Sequence, residues 1–146
     1  MIIETKNKTI NLVLKTRKIV DTANLLKNKN FEEAFIKAYS ILDIEALSKI
    51  IFKLAENEEE KSFFNSSDEV YDFIDECRIE GITISDLYEK IAEALNEEGF
   101  FKKKMSKKEL KEMTSNPLLT INMNELILKS TEKAINKIAE EQLLEA

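Results

Sequence analysis

The chain has 146 residues, 34% of them charged and 43% hydrophobic, with a net charge of −6. That composition is globular and long enough to bury a core without disulfide or metal staples. Two Gly and one Pro exclude β-sandwiches and barrels, which need a turn every ~8–12 residues, and they also exclude glycine-rich nucleotide loops. With no His and a single cysteine, Cys77, imidazole acid–base chemistry, His-ligated metals and intramolecular disulfides fall away.

Charge is unevenly spread. Residues 1–55 carry ten Lys/Arg against six Asp/Glu, residues 56–98 three against fifteen, and residues 99–146 nine against seven. The middle of the chain is therefore an acidic surface that repels nucleic acid and attracts cations. No stretch approaches the ~18–20 apolar residues of a membrane span, so no membrane partner is expected. Met1-Ile2-Ile3-Glu4 lacks the basic start and apolar core of a signal peptide, and a lone thiol fits a reducing compartment.

In chain order, Ile2–Thr5 and Ile10–Leu14 alternate with a period near two and read as a hairpin, with Asn7 supplying a left-handed turn residue. Thr16 is the expected N-cap of a helix carrying Ile19, Val20, Ala23, Leu25 and Leu26, ended by Lys27-Asn28-Lys29-Asn30. Asn30 with Glu33 forms a capping-box pattern ahead of a wide apolar face from Phe31 to Leu42. Asp43 then caps a stripe of Ile44, Leu47, Ile50, Ile51 and Leu54; the pattern fits either one bent helix or a helical pair.

Residues 56–65 read as a charged connector. Ser66 and Glu69 repeat the capping-box pattern before Val70, Phe73, Ile74 and Cys77 at helical spacing, and Gly81 ends that helix. Thr83 or Ser85 opens the next, with Leu87, Ile91, Ala94 and Leu95 on one side and Gly99 closing it. A basic run from Lys102 to Lys111 includes a short helix from Ser106, Asn116-Pro117 is a break, and a last helix is expected over 122–145. The fold class expected is mainly α: a short N-terminal β-hairpin on a bundle of about five to seven helices. Residues 1–101 are expected to form the core domain, and residues 102–146 a basic segment and terminal helix that either pack back on the core or project as an exchange or partner-binding arm.

No catalytic constellation emerges, so no enzyme, catalytic residue, cofactor or metal is expected. Glu58-Glu59-Glu60 lacks the spacing of an EF-hand loop, and Cys77 sits on an apolar helix face. The Phe63-Phe64 and Phe100-Phe101 pairs are more informative. Adjacent residues on a helix point about 100° apart, so one of each pair can reach the core while the other faces outward; the pairs either staple helix ends to the core or form an apolar docking surface for a helical partner. Phe63, Phe64, Phe100, Phe101, Leu126 and Ile127 are the candidate partner-binding residues. The rival reading is a small helical regulator that grips nucleic acid through Lys102–Lys111, against which stand the acidic balance and the distance in sequence of Arg17 and Arg78, the only arginines.

The order of elements carries a resemblance: an Ile-Ile-Glu hairpin, the Thr16-Arg17 junction into helix, two apolar helices, then Ser67-Asp68-Glu69-Val70-Tyr71-Asp72-Phe73-Ile74-Asp75-Glu76, and finally Ile91-Ala92-Glu93-Ala94-Leu95-Asn96-Glu97-Glu98-Gly99-Phe100-Phe101. Over residues 1–101 this resembles the tail assembly chaperones of long-tailed bacteriophages. The turn lacks the Gly often found there, and the first helix departs from the usual Leu- and Glu-rich pattern. The resemblance implies a non-enzymatic protein that coats the helical tape measure protein in several copies and presents it to the tail tube protein. It also implies a homo-oligomer in the host cytoplasm, absent from the mature particle. In such families a longer product arises by ribosomal frameshifting, and residues 102–146 fit either form.

Overall fold

A computed structural model describes residues 1–113. Alternation drives its N-terminus: Ile3, Ile10 and Leu12 turn inward while Ile2, Glu4, Thr9 and Asn11 turn outward. Strands β1 (Ile2–Glu4) and β2 (Thr9–Leu12) pair antiparallel with Ile3 opposite Ile10. The turn is not built on Asn7 in a left-handed conformation, as the sequence led us to expect. The non-glycine residues with positive φ among those described are Lys27, Leu42 and Glu60. The Thr5 hydroxyl organises the turn instead, accepting from the Asn7 and Lys8 N–H groups at 3.3 and 3.1 Å.

Helix α1 (Thr16–Leu25) starts one residue earlier in its capping than expected: Lys15, not Thr16, holds the N-cap position, and no side chain caps it. Helices α2 (Phe31–Ile41) and α3 (Ile44–Leu54) are separate. Asn30 and Asp43 cap them by accepting from Glu33 N–H and Ala46 N–H, each at 3.0 Å. Leu42 makes the break at φ 53°, with Asp43 N–H donating to the Ala38 carbonyl at 2.9 Å and Leu42 N–H to that of Tyr39 at 3.1 Å. This is a Schellman ending with leucine where glycine is usual.

The segment read as a connector is partly strand. Strand β3 (Ala55–Glu56) pairs with β2, so the sheet has three strands in the order β1-β2-β3. Asn57 Oδ1 accepts from Glu59 and Lys61 N–H at 2.8 and 3.1 Å, and Phe63 N–H returns to the Ala55 carbonyl at 3.0 Å. Helix α4 (Ser67–Ile79) follows. Its Glu69 carboxylate caps Asn65 rather than Ser66, accepting from Asn65 N–H at 3.1 Å. Helix α5 (Ile84–Glu97) opens on a full capping box between Thr83 and Asp86. Gly81 and Gly99 end α4 and α5 at φ 87° and 82°, where a side chain would be strained. A short α6 (Lys107–Glu112) closes the described chain.

Helix α3 is central. Its Leu47, Ile50, Ile51 and Leu54 are fully buried, and it packs on α1, α4 and β2. A second core is aromatic: Phe35 lies 5.9 Å from Phe31, 5.8 Å from Tyr39, 5.9 Å from Tyr88 and 6.0 Å from Phe101. The molecule is thus mainly α with an N-terminal hairpin. Met1–Leu110 form one unit; Leu126, Ile127 and the helix expected over 122–145 lie outside the described residues.

Candidate partner-binding surface

The turn after β3 decides what each residue of the first phenylalanine pair does. In a strand-like run, successive side chains alternate sides. Phe64 turns inward, 6.0 Å from Phe73, and is 4% exposed. Phe63 turns outward, 36% exposed, with its ring edge-on to Phe64 at 5.0 Å. With Thr9, Asn11, Asn57, Glu58 and Glu59 it lines an open depression of about 620 Å³ over the outer face of the sheet.

Electrostatics in that depression are split. Glu56 is neutralised by Lys18 at 2.8 Å, whose ammonium also donates to the Lys53 carbonyl at 3.0 Å. Glu58 and Glu59 are exposed and take no part in the ion pairs among the described residues. An aromatic edge beside two unneutralised carboxylates fits an aliphatic side chain flanked by Lys or Arg.

The second pair divides in the same way. Gly99 ends α5 with Phe100 N–H donating to the Leu95 carbonyl at 2.9 Å. Phe101 is 6% exposed against Phe35, and Phe100 is half-buried. Asn96 fixes the following irregular segment by paired bonds with the Met105 backbone at 2.9 and 2.8 Å, and Glu32 accepts from Lys102 N–H at 2.7 Å. Phe64 and Phe101 are therefore core residues and cannot serve as surface contacts; their burial is what anchors their neighbours. No ring contact among the described residues joins the two pairs.

Four apolar exposures escaped sequence reasoning, the first being Val20 on α1, which falls off the helix's buried Ile19–Thr22–Ala23 face and is 53% exposed. Ile41, Leu42 and Ile44, assigned to inward helix faces, are exposed at the α2–α3 corner because Leu42's left-handed backbone turns the chain there. Tyr71 and Ile79 are exposed on α4, Ile79 at 82%. Ile2 stands on the outer sheet face opposite Asn11. Ile79 was legible in principle, since it falls off the Val70–Phe73–Ile74–Cys77 stripe.

Burial and ion pairing shift several titratable groups of the core and of the hairpin contact. Burial, with Glu76 and Glu80 nearby, pushes the Cys77 thiol up to about 11. Burial, with Glu89 and Glu93, pushes Tyr39 to about 12, and burial raises Tyr88, whose hydroxyl donates to the Asp43 carbonyl. Glu76 is held below the ordinary carboxylate range by its hydrogen bond from Lys8 at 2.7 Å; with Glu80, which accepts from Lys6 N–H at 2.7 Å, it clamps the hairpin turn to α4. Among the described residues no acidic, His or Cys cluster is placed to hold a metal ion, and no helix is long and apolar enough to cross a membrane. Lys102, Lys103, Lys104, Lys107 and Lys108 are exposed. Compared with known proteins, the chain matches no family model, no curated protein and no solved structure.

Proposed function

We propose that this chain is a tail assembly chaperone of a bacteriophage or phage-tail-like particle. It binds the helical tape measure protein, keeps it soluble until tube subunits take over, and makes or breaks no covalent bond. The reading rests on the order of elements described above and on one observation in particular: Phe63 stays open over the sheet while its neighbour Phe64 is sealed. A long helix with an apolar stripe aggregates unless that stripe is covered. Phe63 offers the cover, and Glu58 and Glu59 offer partners for cations flanking the stripe. Phe100 offers a second apolar contact at the end of α5.

Co-expression with a tape measure fragment tests this directly: the fragment stays soluble with the wild-type chain and precipitates without it. The competing reading, nucleic-acid binding, draws on the exposed lysines of the 102–108 segment. It requires salt-dependent affinity for DNA or RNA, with a slope flattened by Lys103→Gln and Lys104→Gln. The chaperone reading expects no such binding.

A further inference from the structure

Two surfaces remain that the sheet depression does not use. The first is a cleft of about 330 Å³ between the end of α1, α2 and the start of α3. Its floor is Ala34, Ala38 and Ala46, so it exists because three inward helix positions carry only a methyl group. Ile41 lies on its edge, and Leu42 and Ile44 stand exposed beside it. Lys27, Lys37 and Lys49 line its rim. Of the rim's acids, Asp43 is engaged in capping α3 and Glu45 pairs with Lys49 at 3.4 Å; Lys27 and Lys37 take no part in the ion pairs among the described residues. Lys27 and Leu42 both hold a left-handed backbone at φ 59° and 53°, so strain and exposed apolar surface coincide at this cleft.

The second surface is the outer face of α4. The helix turns Val70, Phe73, Ile74 and Cys77 inward and presents Asp68, Tyr71, Asp72, Asp75 and Ile79 to solvent, spaced at three and four residues along one side. Asp75 pairs locally with Arg78 at 2.7 Å, whereas Asp68 and Asp72 take no part in the described ion pairs.

We infer that the cleft takes the α4 face of a second copy of this chain. Ile79 seats on the alanine floor, and Tyr71, about 12 Å along the helix, lies against Ile41 and Ile44. Asp68 and Asp72 meet the lysine rim. What selects this occupant is complementarity in both respects at once: a basic apolar cleft, and an acidic helix carrying the most exposed apolar side chain among the described residues. Cleft and helix face are different patches, so each contact is heterologous and leaves one cleft and one α4 face free for further copies. The inference concerns copies of this chain alone and stands whether or not the client is a tape measure protein.

Sedimentation velocity of the full chain over a hundredfold concentration range tests it. The wild type grows in size with concentration. Lys27→Glu with Lys37→Glu, and separately Asp68→Lys with Asp72→Lys, each weaken association about tenfold or more, because each makes like charges face one another. An equimolar mixture of the two variants restores it, since each variant's cleft then meets an α4 face of opposite charge. Ile79→Ser weakens association while leaving the urea midpoint unchanged, which separates lost contact from lost fold. A wild type that stays a single copy throughout, association that survives either reversal, or a mixture that fails to reassociate would overturn the inference.

Discussion

Phe35 and Phe63 are the same residue type in opposite circumstances. Phe35 is wholly buried and touches four other rings across α2, α5 and the segment after it. Phe63 touches one ring and faces an acidic depression. The first holds α2 to α5, whereas the second contributes little to folding. In the function proposed above, an aromatic kept half open beside carboxylates is held for contact with the client. The proposal therefore assigns stability to one region and binding to the other, and that division can be broken or sharpened by mutation.

The largest effect falls in the aromatic core. Phe35→Ala should destabilise the fold by about 4 kcal/mol, through lost burial and the cavity left among the four rings, read as a lowered urea midpoint with unchanged slope. Next comes the contrast within one pair. Phe64→Ala should cost about 3 kcal/mol, and Phe63→Ala less than about 1 kcal/mol. Equal losses from the two would erase the distinction between anchor and contact.

Beneath the depression, Lys18→Met should cost about 2 kcal/mol, because it strands the buried Glu56 carboxylate without its cation; the figure is discounted from a fully buried pair because Lys18 is partly exposed. Leu42→Gly should stabilise by about 1 kcal/mol, relieving a left-handed backbone at an exposed position, and should weaken self-association by removing apolar surface beside the cleft. A chain destabilised by that change would show that the leucine side chain contributes to folding after all.

The smallest effect is electrostatic. Glu76 has its folded pKa lowered by Lys8, so its contribution is present above the unfolded value, about 4.3, and is lost as pH falls through the folded value. Glu76→Gln should flatten that acid-side loss, visible in urea midpoints taken between neutral and acid pH.

Much of this fold was legible from spacing alone. The Ile3–Ile10–Leu12 alternation, the Asn30 and Asp43 caps, the Gly81 and Gly99 endings and the inward stripes of α3 to α5 follow from local rules. What stayed hidden depended on contacts distant in sequence or on conformations that residue type disfavours. Strand β3 is two residues long and exists because β2 is beside it. Leu42 breaks α2 from α3 in a conformation that leucine rarely adopts, so Ile41, Leu42 and Ile44 read as core and are not. The Thr5 turn replaced the expected Asn7 turn because a hydroxyl can cap two N–H groups without a left-handed residue. Within the phenylalanine pairs, the sequence left open whether both members pack on the core or one turns outward, and it did not show which one would.

The most direct test is solubility of a long helical tape measure fragment co-expressed with the wild-type chain, with Phe63→Ser, and with neither. The fragment should be soluble with the wild type and should precipitate with Phe63→Ser, whose own urea midpoint stays within about 1 kcal/mol of the parent. A fragment that precipitates equally with the wild type, or stays equally soluble with Phe63→Ser, would contradict the role given to that ring.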